Sequence, residues 1–152
     1  MEGPYLLLVE DNPNDQLLTV RALKRHDFVD RIVVANDGHE AMECMRGGAP
    51  DSVEEGDVLP SLVLLDLKLP GLDGVEVLQR IKSDERMRRV PVVVLTSSRE
   101  ERDIAQCYDS GANSYVRKPV DYIEFLEVAR ELQSYWLRLN ESPPPASPIH
   151  RQ

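Results

Sequence analysis

No apolar run in this chain approaches the ~20 residues that a bilayer-spanning helix needs. Its first residues also lack the basic-then-apolar order of a secretory leader, so a cytoplasmic protein with no membrane role is expected. Cysteine is scarce. Cys44 and Cys107 are the only two, and they have no metal-ligand or disulfide-framework spacing. Both fall in helix-like stretches and are expected to be small buried apolar side chains in a reducing compartment. Basic charge is short as well: 18 Lys and Arg stand against 27 Asp and Glu, a net charge of −9. A DNA-binding protein needs stripes of Lys and Arg to neutralise phosphates, so no nucleic-acid partner is expected. The one basic cluster, Arg86, Arg88 and Arg89, reads as a solvated loop. No internal repeat is present.

What the chain does have is a rhythm. Its 152 residues, 41% apolar, suit one domain with a full core. Short apolar runs at residues 5–9, 31–35, 62–65, 92–95 and 114–116 alternate with amphipathic stretches. That alternation marks βα units around a parallel sheet. The first, third and fourth runs are continuously apolar, as strands covered on both faces require. Helix one should start near Asn14, with Pro13 fixing φ and Leu17, Leu18, Val20, Ala22 and Leu23 facing inward. Helix two should stop at Gly47 and Gly48. Helix three carries Val75, Val77, Leu78 and Ile81; helix four covers about 100–109. Helix five should follow Asp121, with Glu124 completing a capping box and Phe125, Val128, Ala129, Leu132 and Trp136 at helical spacing. Residues 47–60 read as a surface loop. The domain is expected over residues 1–140, and residues 141–152, with three consecutive prolines, as a proline-rich tail that cannot continue a helix.

Polar residues stand at the ends of these strands. Glu10 and Asp11 follow the first run, Asp66 the third, Thr96 the fourth and Lys118 the fifth. Neighbouring strand ends of an open parallel sheet share a ligand crevice. Three carboxylates gathered there repel one another unless a hard cation joins them, and Mg²⁺ suits such a site together with a phosphate oxygen. Taken singly, Thr96 and Lys118 are an ordinary strand residue and a solvated charge, and Asp11 could be a helix cap. Only a shared crevice gives them a common purpose.

These residues resemble the receiver domain of two-component response regulators. The matching segments are Val9-Glu10-Asp11-Asn12, Leu65-Asp66-Leu67, Pro70-Gly71-Leu72-Asp73-Gly74, Thr96-Ser97 and Lys118-Pro119. Within that family the chain is most similar to single-domain, phytochrome-associated regulators. The resemblance implies an α/β, flavodoxin-like, doubly wound sheet of five parallel strands in the order 2-1-3-4-5 with five helices. It implies that Asp66 accepts a phosphoryl group from a sensor histidine kinase, here a bacteriophytochrome. Asp11, Asp66 and the backbone carbonyl of Lys68 would bind Mg²⁺, with Glu10 acting through a metal-bound water. Lys118 and Thr96 would contact the phosphoryl group, and the Lys118–Pro119 bond is a candidate cis peptide.

The implied switch moves Thr96 inward and lets Tyr115 rotate into the space behind it. The changed surface would be the fourth helix, fifth strand and fifth helix. Tyr122, Tyr135, Trp136 and Leu139 give helix five more apolar surface than one core stripe needs, so a homodimer through this face is expected. Lys68 departs from the polar or sulfur-containing residue of many relatives, and its ammonium is expected to alter the lifetime of the acyl phosphate. Catalysis beyond slow self-dephosphorylation is not expected. The alternative is a phosphorelay intermediate that passes its phosphate to a histidine phosphotransfer protein.

Overall fold

A computed structural model of the chain describes residues 5–47 and 59–144. Most of the expected loop at 47–60 and the tail from residue 145 onward lie outside the described residues. Five strands, β1 (Tyr5–Val9), β2 (Arg31–Ala35), β3 (Leu62–Leu65), β4 (Val92–Thr96) and β5 (Ser114–Arg117), form one parallel sheet. Its order is β2-β1-β3-β4-β5. The helices between and after them are α1 (Pro13–Leu23), α2 (Gly38–Met45), α3 (Gly74–Ser83), α4 (Glu101–Asp109) and α5 (Tyr122–Ser134). The α5 chain runs on into a π-helical turn over Tyr135–Leu139.

Side chains alternate across the pleat and fill two separate cores. Tyr5, Leu7 and Val9 of β1 join Val63 and Leu65 of β3 beneath α2, α3 and α4. Leu6 and Leu8 join Leu62 and Leu64 beneath α1 and α5, where Phe125, Ala129 and Leu132 close the layer. Every residue of β1, β3 and β4 is buried, whereas the edge strand β5 is half-buried or exposed throughout. Both cysteines are buried thiols. Burial first, and the nearby Asp103 charge second, push the Cys107 thiol up to about 11, so it stays protonated and unreactive at neutral pH.

The helix starts set the chain beside the strand ends. Asn12, not Asp11, caps α1, accepting from the Asp15 N–H at 2.9 Å. On α3 the reciprocal box forms between Asp73 and Glu76. On α5 Asp121 accepts from the Glu124 N–H, but the return bond expected from the Glu124 side chain is not formed. Leu17 also departs from expectation: it is 50% exposed. The inward stripe of α1 is centred on Thr19, Ala22 and Leu23, which puts Leu17 beyond its edge. Arg86 is not simply solvated, since its Nη1 donates to the Met45 carbonyl at 3.1 Å. It thereby satisfies an orphan acceptor at the C-terminus of α2. Arg88 and Arg89 are exposed as expected, although Arg89 reaches the Pro144 carbonyl of its own chain. No cis peptide occurs among the described residues. The Lys118–Pro119 bond takes the ordinary trans form, and the Lys118 N–H still completes the β4–β5 ladder to the Thr96 carbonyl at 2.8 Å.

Gly74 opens α3 directly against the loop after β3. A Cβ there would lie 2.4 Å from the Asp66 carbonyl oxygen and 2.6 Å from the Leu67 Cα. Only glycine lets the helix and that backbone come so close. Gly74→Ala is expected to cost about 1–3 kcal/mol, the usual penalty of overpacking, because its obstacle is backbone that cannot turn aside. Urea denaturation of both proteins checks this; equal midpoints would show that the loop yields freely.

Candidate functional site

Backbone ladders carry the polar residues one step past the strands. The Glu10 N–H donates to the Ala35 carbonyl and the Asp66 N–H to the Val9 carbonyl, each at 3.1 Å. Glu10 and Asp66 are thus fixed side by side on neighbouring strands. Asp11 follows Glu10, and ligand oxygens of Glu10, Asp11 and Asp66 lie within 4.8 Å of one another. This is the point where the strand order reverses, and where open α/β sheets form their crevice.

Lys118 enters the crevice from β5. Its Nζ is 2.7 Å from Glu10 Oε1, 3.6 Å from Asp66 Oδ2 and 3.6 Å from Asp15 Oδ2. The Glu10 side chain is only 3% exposed, and its other oxygen accepts from the Asn12 N–H at 3.2 Å. Gln16 ties the same turn down, donating to the Glu10 carbonyl and to Asn36 Oδ1. Burial pushes the Glu10 carboxyl above its ordinary range, against the lowering effect of the Lys118 hydrogen bond and charge; the Asp66 charge adds to the rise. Burial alone would lower the Lys118 ammonium, but the Glu10 hydrogen bond and the Asp66, Glu10 and Asp15 charges carry it upward. Four carboxylates stand around one ammonium, so the site carries surplus negative charge. An all-oxygen set with surplus negative charge fits a hard divalent cation.

Thr96 is buried at the end of β4, with its Oγ1 3.4 Å from the Ser98 N–H. Tyr115 lies one strand further out. Its ring already packs against the core, and its hydroxyl donates to the Ser98 carbonyl at 2.9 Å. Burial chiefly raises the Tyr115 pKa, so the phenol stays a donor. Ser98 Oγ in turn donates to Asp103 Oδ2 at 2.5 Å. The loop after β4 is therefore tied at one residue to Thr96, to β5 and to α4. Lys68 is exposed beside Asp66, its N–H 3.5 Å from Asp66 Oδ1. Glu10, Asp11, Asp66 and Lys118 thus meet, while Thr96 and Tyr115 flank them on the adjoining strands.

Three participants escaped the sequence reading: Asp15, Ser98 and Asp103. Asp15 had a readable signal. It sits in the first turn of the helix that leaves the crevice, and helical side chains lean toward the N-terminus. Ser98 and Asp103 act through a loop conformation that no periodicity encodes.

Comparison with known proteins agrees with this arrangement. Residues 6–130 match the response regulator receiver domain model. The probable methanogenesis regulatory protein FilR2 of Methanothrix harundinacea is 43% identical over 149 residues, 95% of this chain and 92% of the relative. The crystal structure of the phosphorylated cyanobacterial phytochrome response regulator RcpA superposes with a TM-score of 0.84 at 36% identity, covering 93% of this chain and 99% of that one. The Mn²⁺-bound form of response regulator Rcp1 gives a TM-score of 0.79 at 34% identity, over 93% and 99% of the two chains. With the sheet order, the crowded carboxylates and a family match over most of its length, the chain belongs to the response regulator receiver family of two-component signalling, with phytochrome-associated response regulators among its relatives.

Proposed function

We propose that Asp66 is the phosphoacceptor of a two-component pathway and that its donor is the phosphohistidine of a phytochrome-class sensor kinase, a bacteriophytochrome acting in the cytoplasm. The observation that carries this reading is the meeting of Glu10, Asp11, Asp66 and Lys118 within a few ångströms at the strand ends. The likeness to a phosphorylated phytochrome response regulator supports the choice of donor. The likeness to a Mn²⁺-bound relative supports a hard cation, here Mg²⁺.

An Asp66 oxygen would attack the phosphorus of the donor. The P–N bond breaks, its electron pair leaves with the imidazole nitrogen, and the new P–O bond makes an acyl phosphate. Asp11, Asp66 and the Lys68 carbonyl would hold Mg²⁺ directly, and Glu10 through a water. When bound, Mg²⁺ neutralises the carboxylates and stabilises charge on the transferring oxygens. Lys118 would give up part of its contact with Glu10 to pair with one phosphoryl oxygen. The Thr96 hydroxyl and the Ser97 N–H would serve the others. The acyl phosphate adds about −1.5 to −2 charge, and the shift of Thr96 would reach α4 and β5 through the Ser98 node. The exposed Lys68 ammonium sets the lifetime of the acyl phosphate, which ends by slow self-hydrolysis.

The output surface is the α4–β5–α5 face. Tyr108, Val120, Ile123, Tyr135 and Leu139 are large apolar side chains left exposed there and at its borders. A second copy of the chain covering this face would bury them, giving a homodimer.

Asp66→Asn should abolish transfer of labelled phosphate from a phosphorylated histidine kinase, with circular dichroism unchanged. Persistent labelling would move the acceptor elsewhere. Ile123→Asp should lower the sedimentation coefficient from dimer toward monomer; equal values for both proteins would remove this face from self-association. Lys118→Met leaves Glu10 buried without its counter-charge and should cost the metal-free fold about 3 kcal/mol at pH 7, the scale of a broken buried pair. Glu10 then titrates still higher in the folded state than unfolded. A group with a raised folded pKa recovers stability as pH falls through that value. Urea denaturation should therefore show a smaller deficit at pH 5 than at pH 7, and an equal deficit at both would contradict the role of Glu10.

A further inference from the structure

The ammonium of Lys118 stands where a cation must enter. It is 2.7 Å from Glu10 and 3.6 Å from Asp66, two of the three acids that converge there. A divalent ion among Glu10, Asp11 and Asp66 would meet this like charge at close range, and the ammonium must shift. It must also stay near, because a phosphoryl group on Asp66 needs it. Asp15 is the remaining carboxylate within its reach, at 3.6 Å. It lies in the first turn of α1, where a negative side chain also suits the helix end. Asp15 and Lys118 share the wall of a cavity of about 140 Å³ between α1 and the start of α5, closed by Leu18, Thr19, Pro119 and Phe125. The exposures differ in the required sense, with 46% of the Asp15 side chain exposed against 3% for Glu10. Asp15 can receive the ammonium without itself being desolvated.

We propose that Asp15 is a positioning residue for Lys118, taking up the ammonium when a divalent cation claims Glu10 and Asp66 and returning it when the phosphoryl group arrives. This rests on the phosphoacceptor reading given above and goes beyond it, since it assigns a task to a residue outside the set Glu10, Asp11, Asp66, Thr96 and Lys118. Asp15 touches neither cation nor phosphate in this scheme; it acts through Lys118 alone.

Mn²⁺ is the probe, with its free concentration read by electron paramagnetic resonance in a four-protein cycle. Asp15→Asn should weaken Mn²⁺ binding roughly three- to fivefold, the size of one partly exposed ion pair. In a Lys118→Met background the same substitution should change affinity by less than about 1.5-fold, because the ammonium that Asp15 serves is gone. Asp15→Glu, which keeps the charge, should restore most of the wild-type affinity. The proposal is overturned if Asp15→Asn has no effect. It is equally overturned if the loss is the same in both backgrounds, since Asp15 would then act only as a distant negative charge. Wild-type protein that binds no Mn²⁺ at millimolar concentration would instead sink the phosphoacceptor reading itself.

Discussion

Like-charge crowding at the ends of β1 and β3 is the constraint on which the rest of this structure turns. Carboxylate oxygens within 4.8 Å repel by on the order of 3 kcal/mol per pair at the effective dielectric of a protein site, less where water screens the exposed Asp11. No such arrangement forms by side-chain preference. It is imposed by backbone: the ladder bonds of Glu10 and Asp66 continue the sheet by one residue, and two filled apolar layers hold β1 and β3 in register. The energy of the cores is thus partly used to hold acids together. Lys118 relieves some of that repulsion in the free protein, and a cation relieves more.

The same constraint explains why local geometry is so tight around Asp66. Its backbone lies against Gly74 with no room for a Cβ. Its N–H is committed to β1, and the following loop returns through the Gly74 N–H to the Leu67 carbonyl at 3.0 Å. The capping box at Asp73 and Glu76 fixes where α3 begins, so the loop has little freedom to relax. A carboxylate held this way has its ordering entropy met during folding, as the phosphoacceptor role proposed for it would require.

Much of this was legible in the sequence, for a physical reason. β1, β3 and β4 are covered on both faces, so their apolar runs are unbroken and their ends easy to place. The polar residues just beyond those ends then fall into one crevice by topology alone. Legibility fails where a contact depends on side-chain reach or on a helix's rotation. Leu17 reads as inward because it is apolar, yet the α1 stripe centres on Thr19, Ala22 and Leu23. Arg86 reads as solvated because it sits among arginines, yet it reaches a carbonyl of α2. The half-formed cap of α5 has the right residues without the second bond.

Ser98 shows the limit most clearly, and also how the site and the surface are joined. Nothing in its local sequence distinguishes it from Ser97. In the fold its N–H faces Thr96 Oγ1, its carbonyl accepts from Tyr115, and its hydroxyl donates to Asp103 on α4. With the Glu100 N–H that also donates to this hydroxyl, four neutral or charge-assisted bonds of about 0.5–3 kcal/mol each meet on one half-buried loop residue. A shift of Thr96 would therefore strain or break at least one of them. In the switch proposed above, a charge placed at Asp66 would reach α4 along this path.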